Sequence, residues 1–293
     1  MQTQSNLKAG LWMVAWHTLM LGMTIASREV TQEIDVLQLM ELRSVLGLVM
    51  LMPLVFAAGG FRAMRTQRPL MHLGRNVVHY TGQALWLYAL TLIPLAHLIS
   101  IEFTAPLWTA LLAVAFLGER LNAAKVAALV LGLIGVAIIV RPGATTMDAG
   151  HLIVLAAALC FGISVTMVKS LTRTESVVKI IFWMLVIQSV IGLIPAIWTW
   201  RWPSAGLWPW IVVTAFCGSF AHYCMARALS HADATVVMPM DFLRVPLTAL
   251  IGYLLYSESI DLVTAMGATL ILFGNLLNLR PTRTPAPAVP GPS

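Results

Sequence analysis

Charge is scarce in this chain. Of its 293 residues only 10% are Asp, Glu, Lys or Arg, while 59% are hydrophobic; a soluble domain carries about 25% charged residues. So few charges cannot clothe a water-facing surface, so lipid must cover much of the exterior. Cysteine is nearly absent as well. Cys160, Cys217 and Cys224 all fall inside apolar runs, an odd number with no CxxC, which argues against a disulfide framework or a zinc site and leaves them as packing residues. There is no Walker A motif, no HExxH, no GxSxG and no Cys–His cluster. Nothing therefore seats a nucleotide, a metal or a nucleophile, and no cofactor is expected. The net charge of +6 would suit a nucleic-acid partner only if the basic residues clustered on one face. They lie instead in short gaps between apolar runs, as membrane loops do.

What the chain has is apolar length. A helix needs about 20 mostly apolar residues to cross the hydrocarbon core. That ruler predicts an all-α integral membrane protein of ten transmembrane helices, near 7–27, 36–58, 75–93, 95–116, 124–141, 149–170, 177–199, 207–229, 233–256 and 261–279. The runs are long and continuous, without the alternation that barrel strands require. The first run is longer than a signal h-region and has no small-residue cleavage site after it, so it reads as the first membrane helix. Residues 281–293 hold five prolines and no apolar periodicity, the composition of a disordered tail. With the N-terminus in the cytoplasm, thirteen basic residues fall on the inner side: Lys8, Arg62, Arg65, Arg68, Arg75, Arg120, Lys125, Lys169, Arg173, Lys179, Arg227, Arg280 and Arg283. Three, Arg28, Arg141 and Arg201, fall on the other. This positive-inside bias predicts an inner (plasma) membrane protein of bacterial type with both termini cytoplasmic.

The chain also repeats itself. A shift of 139 residues superposes Glu102 on Asp241, Thr109 on Thr248, Glu119 on Glu258, Gly135 on Gly274, and Arg141-Pro142 on Arg280-Pro281. Five helices per unit is an odd number, so the second unit, 149–280, must enter the membrane from the opposite side to the first, 7–142. Such inverted repeats recur in secondary transporters. The stretch Ile101-Glu-Phe-Thr-Ala-Pro106, then Leu117-Gly-Glu-Arg-Leu121 and a glycine-bearing helix ending Val140-Arg-Pro-Gly143, resembles the EamA family of the drug/metabolite transporter superfamily. A weaker copy follows in Met240-Asp-Phe-Leu-Arg-Val-Pro246 and Tyr256-Ser-Glu-Ser-Ile260, which lacks the glycine before its glutamate. The resemblance implies two five-helix halves around a central cavity, with helices one to four and six to nine lining it and five and ten peripheral. Fold transfers between family members better than substrate does.

Charges near the bilayer centre cost about 2.5–3.5 kcal/mol each on insertion scales, so those present need a reason. They are Arg43 in the second span, Glu102 in the fourth, and Asp241 and Arg244 in the ninth. Glu41 lies nearer the outer end of the second span, where snorkelling to the interface is one reading. Arg244 and Thr248 follow Asp241 at i+3 and i+7, on one face; Ala105 and Thr109 stand at the matching positions after Glu102. On the functional reading these faces meet across the cavity, and each carboxylate is also a candidate proton acceptor. On the structural reading Asp241 and Arg244 merely form an intrahelical ion pair. The third span presents His79, Gln83, Trp86 and Leu90 on one face. Trp16, His17, Trp108, His222 and Tyr223 are further candidates for substrate contact. Trp12, Trp198, Trp200, Trp202, Trp208 and Trp210 suit the membrane interface. Glu119, Arg120 and Glu258 sit in turns and read as caps or helix-end pairs. Gly132, Gly135, Gly267 and Gly274 read as close-packing positions, and Pro106 and Pro246 as breaks that expose carbonyls or act as hinges.

These features predict a secondary transporter that moves a small polar, zwitterionic or amino-acid-like metabolite by alternating access. An arginine fork fits a substrate carboxylate and a carboxylate receives an ammonium; if the four charges neutralise one another, that inference fails. Export is the first reading of direction, and proton-coupled import of a vitamin or nucleoside-type metabolite is the alternative. The partners are the substrate, the lipid bilayer and, as a candidate coupling ion, the proton. Oligomeric state is open. An intramembrane enzyme, or a receptor with sizeable loops, fits less well.

Overall fold

The computed structural model describes residues 5–90, 92, 93, 98, 101–140, 148–247, 250 and 262–279. Over these the chain is helical, with no strand. The helices are α1 (Asn6–Val30), α2 (Val36–Ala57), the single turn α3 (Gly60–Ala63), α4 (Pro69–Leu90), α5 (Ala105–Leu117), α6 (Ala123–Val140), α7 (Ala149–Thr172), α8 (Val177–Trp198), α9 (Trp208–His231), α10 (Ala234–Met240) and α11 (Leu262–Leu279). Among the described residues, five segments are long and apolar enough to cross a membrane: 6–27, 36–57, 149–172, 177–198 and 205–231. Shorter apolar helices run over 105–117, 123–139 and 262–277.

Polar side chains mark the helix starts. Asp35 accepts from the backbone N–H of Leu37 at 2.8 Å, and Asp148 and His151 form a reciprocal capping box at the head of α7, satisfying donors that a first turn leaves free. Pro69 opens α4, where a missing N–H costs nothing. The sequence reading began this span at residue 75. The helix in fact starts six residues earlier, which carries Arg75 about 9 Å into it.

Two segments are interrupted, in the same two spans where Pro106 and Pro246 were expected to break the helix. In the fourth span the chain is helical at 101–102, turns at Phe103–Thr104 and resumes as α5 at Ala105, where Pro106 has no N–H to extend an earlier turn. The ninth span is α10, then a 3-10 turn over Asp241–Leu243, then helix at 244–247. Its predicted remainder falls largely outside the described residues, as do Thr248, Glu258, Arg141, Arg280 and the tail at 281–293.

The described helices pack α1 on α9, α4 on α7, α2 on α8 and α6 on α11. The last contact is glycine-mediated, as expected. A Cβ on Gly135 would stand 2.7 Å from the Gly267 carbonyl oxygen, one on Gly267 would stand 2.8 Å from that of Gly135, and one on Gly274 would meet the Ala128 Cα at 3.3 Å. A Cβ on Gly132 would overlap the Phe242 ring.

At one end of the bundle Gly118 takes a left-handed conformation (φ 68°), which ends α5 and turns the chain back. Glu119, expected to be a turn cap, caps across the bundle instead. Its two carboxylate oxygens accept from the backbone N–H groups of Ala234 and Thr235, each at 2.9 Å. Lys125 donates to Thr235 Oγ1 at 2.7 Å and lies 3.4 Å from Asp233. Lys169 donates to the Leu229 and Ala232 carbonyls at 2.8 and 2.5 Å. Beside this cluster Glu175 accepts from Thr66 and pairs with His72. Burial opposes its ionisation, yet those two bonds win and hold its carboxyl below the ordinary carboxylate value. At the other end Gln38 and Arg201 exchange bonds at 2.6 and 2.9 Å, and Glu33 accepts from Ser204. Replacing Glu119 with Ala should lower stability by about 2 kcal/mol, since two buried donors lose a charged acceptor. The melting temperature in detergent measures it; Glu119→Gln, which keeps one acceptor oxygen, should lose less.

Candidate functional site

The two helix breaks face each other. Glu102 sits at the first and Asp241 at the second, and the aromatic residue after each, Phe103 and Phe242, meets the other with ring centroids 6.0 Å apart. Arg244 Nη2 reaches across to Glu102 Oε1 at 2.9 Å and stands 3.9 Å from Asp241 Oδ2 on its own segment. The contact between segments is thus tighter than the intrahelical one. Each carboxylate has a second donor, an indole. Trp86 Nε1 donates to Glu102 Oε2 at 2.8 Å, and Trp16 Nε1 donates to Asp241 Oδ1 at 3.1 Å. Arg244 also lies 4.9 Å over the Phe103 ring, and its planar cation is suited to that stack.

Beside this cluster lies a cavity of about 190 Å³, well above the roughly 15 Å³ that admits one water. Its wall includes Trp16, Arg43, Arg75, His79, Gln83, Glu102, Phe103, Phe161, His222, Asp241 and Arg244. His79 and His222 meet edge to face at 5.3 Å, and Arg43 and Arg75 are close enough to act electrostatically on both. Among the described residues neither arginine has a carboxylate partner. Arg43 Nη1 lies 4.0 Å from the Met23 sulfur; Arg75 donates through Nη1 to Asn76 at 2.7 Å and its Nε has no partner. His79 Nε2 and Gln83 Oε1 are buried and unpartnered too. Three arginines against two carboxylates leave the wall with surplus positive charge. Its unfilled hydrogen-bonding groups stand at the Arg43–Arg75–His79 end.

The structure therefore sorts the sequence candidates. Glu102, Asp241, Arg43, Arg244, His79, Gln83 and Trp16 share the cavity wall, with Ala105 and Thr109. Trp86 stands behind it, holding Glu102 rather than facing the cavity. His17 is 1% exposed and bonds the Met240 carbonyl at 3.1 Å, which ties α1 to the second break. Trp108 packs on Gly162, and Tyr223 packs edge-on against Trp12 at 6.0 Å. None of these four is in the cavity wall, because each faces a neighbouring helix. Glu41 does not snorkel: it is 5% exposed inside the bundle. The residue missed is Arg75. Starting the span too late put it in the loop, and the Pro69 signal for an earlier helix start was there to be used. The three cysteines are free thiols, and among the described residues no group of His, Cys, Asp and Glu could hold a metal.

The chain as a whole is similar to known proteins. The sequence profile of the EamA-like transporter family matches twice, over residues 7–141 and 148–280. The S-adenosylmethionine uptake transporter of Rickettsia felis is 29% identical over 224 residues, 76% of either chain. The riboflavin transporter of Brucella anthropi is 31% identical over 245 residues, 80% of this chain and 85% of that one. The pseudopaline exporter of Pseudomonas aeruginosa is 26% identical over 84% of this chain and 86% of its own. A crystal structure superposes with a TM-score of 0.77 over 93% of this chain and 94% of the other, at 19% identity, a likeness of fold alone. Family matches across both halves and relatives of nearly the full length lead to one conclusion: the chain belongs to the EamA-like transporter family and is a multi-pass membrane transporter of small molecules, not an enzyme.

Proposed function

We propose that this protein takes up a metabolite that joins a flat heteroaromatic ring to a polar, anion-bearing chain, by alternating access of two inverted five-helix halves. The observation that carries the substrate class is the cavity wall. Arg43 and Arg75, without carboxylate partners, await an anionic or strongly accepting group. Trp16, Phe161 and the two histidines line the cavity with aromatic surface against which a ring can pack. The Glu102–Arg244–Asp241 cluster retains acceptor oxygens for an ammonium or hydroxyl. Of the relatives, the one named for S-adenosylmethionine uptake fits this description, since that compound joins a heteroaromatic ring to a chain that bears a carboxylate; riboflavin shares the ring and a polar chain but carries no anion. The relative named for uptake favours import, the alternative direction in the sequence reading, over the export first expected; the exporter relative is the less similar in sequence.

Several contacts support ten spans in two inverted halves. The 139-residue offset maps Phe103 onto its own partner Phe242. It also maps the contact of Gly135 with Gly267 onto that of Gly274 with Ala128, the exchange of partners that a two-fold axis imposes. Both carboxylates sit at helix breaks, where transporters of this architecture bind cargo. Under this reading both chain ends face the cytoplasm of a bacterial inner membrane.

The test is counterflow in liposomes preloaded with unlabelled riboflavin or S-adenosylmethionine. We expect the labelled compound to accumulate transiently inside vesicles that hold the protein. Failure of both compounds to exchange overturns the substrate class.

A further inference from the structure

Glu41 belongs to no feature described so far. It lies six residues past the cap Asp35, about 9 Å along α2, and does not line the cavity. Among the described residues its buried Oε2 has no hydrogen-bond partner, and neither has the buried hydroxyl of Tyr80 on α4. Both crowd the same glycine of α8: a Cβ on Gly192 would stand 2.6 Å from Glu41 Oε2 and 3.5 Å from Tyr80 Oη. Tyr80 is close enough to interact electrostatically with both Glu41 and Arg43.

Among the described residues, the surroundings supply no compensating charge. From α4 the titratable group facing Glu41 is Tyr80, and from α8 the facing residue is Gly192. On α2 itself Arg43 is two residues on and lines the cavity. From the 199–207 connection Arg201, tied through its backbone to Gln38 one turn away, is exposed. From α9 the nearest described neighbours of α2 are uncharged: Gly218 against Arg43, and Ser219 against Gly47. Among the described residues no cation lies within salt-bridge distance of Glu41. An ionised carboxylate buried this way costs several kcal/mol. A proton removes the charge and gives the orphaned oxygen a hydrogen to share.

We infer that the Glu41–Tyr80–Gly192 pocket binds the coupling proton of this transporter, one proton per carboxyl, as a substrate anion occupies Arg43. The linkage is electrostatic. Tyr80, which interacts electrostatically with both Glu41 and Arg43, joins the two sites: ionised, Glu41 adds negative potential at this end of the cavity and weakens the hold of Arg43 on the cargo anion; neutral, it does not. Proton and anion therefore bind together, which is symport. The inference rests on the proposed uptake of an anion-bearing metabolite, but its first test does not.

In pH-difference infrared spectra of the reconstituted protein, acidification should raise a protonated-carboxyl carbonyl band that is missing in Glu41→Gln and shifted in Tyr80→Phe. In counterflow of S-adenosylmethionine, which carries the anion, with riboflavin as the neutral comparison, Glu41→Gln should exchange at the wild-type rate at equal pH. It should lose the accumulation that an inward proton gradient drives in wild type. A Glu41→Gln protein that keeps the carbonyl band, or keeps gradient-driven accumulation, overturns the proposal. If wild type moves neither compound, the substrate reading fails and the infrared band alone decides the proton site. Tyr80→Phe, which removes a single oxygen, keeps the test open should Glu41→Gln fold poorly.

Discussion

Replacing Arg244 with methionine should destabilise the protein by about 3 kcal/mol and abolish transport. Arg244 is the cation shared by Glu102 and Asp241, at 2.9 and 3.9 Å. Without it, among the described residues, only the indoles of Trp86 and Trp16 remain as donors to two carboxylates. Removing one partner of a buried ion pair costs about 3–5 kcal/mol, because the other charge stays behind. The low end applies here, since the side chains of Arg244 and Glu102 are 23% and 18% exposed toward the cavity and water screens them in part. A lowered melting temperature in detergent, with loss of counterflow, is the expected result. Neutralising the carboxylates as well, in Glu102→Gln/Asp241→Asn/Arg244→Met, should restore most of the stability but not the transport. If the single variant melts as wild type does, the cluster contributes nothing to the fold. If the triple variant stays as unstable as the single one, the loss came from packing on Phe103 rather than from stranded charge.

Arg43→Gln should weaken binding of an anion-bearing substrate by about 10- to 100-fold while leaving the melting temperature within a few degrees of wild type. The two expectations go together because Arg43 has no carboxylate partner to strand. A charge-assisted hydrogen bond contributes about 1.5–3 kcal/mol, and each 1.4 kcal/mol is a factor of ten in affinity. Glutamine keeps a donor but loses the charge and the fork. The concentration for half-maximal counterflow of S-adenosylmethionine and of riboflavin measures the loss. It should be larger for S-adenosylmethionine, which carries an ionised carboxylate at neutral pH, than for riboflavin, which carries no carboxylate. An equal change for both would mean that Arg43 shapes the cavity without reading charge. No change for either would move the anion site to Arg75.

Some of the arrangement was legible because membranes punish particular residues. A charge in a long apolar run stands out against its surroundings and needs a partner or a task. Glu102, Asp241, Arg43 and Arg244 were recognisable on that ground, and all four are in the cavity wall. Pro106 announced the break before α5 in the same way, and glycines marked the contact of α6 with α11. Arg75 escaped notice because the apolar ruler undervalues the first turns of α4, which carry His72, Arg75 and Asn76. The helix there opens on Pro69 and is held by its buried polar contacts, not by hydropathy. Trp108, Tyr223, His17 and Trp86 failed for a different reason. In water an amphipathic stripe tells which helix face points inward. In lipid the outer face is as apolar as the packed one, so the sequence carries little contrast from which to read rotation.

The sequence by itself determined that this chain lives in a bilayer and is helical there. It also determined that it must bury several charges in pairs or in water, for these follow from residue composition and the cost of desolvation. Which charge meets which was decided by the tertiary structure alone. One residue of displacement turns a side chain by about 100° around its helix and 1.5 Å along it. Only the packed bundle settles whether Arg244 points at Glu102 or along its own segment, and whether Glu41 finds water or the bare face of Gly192.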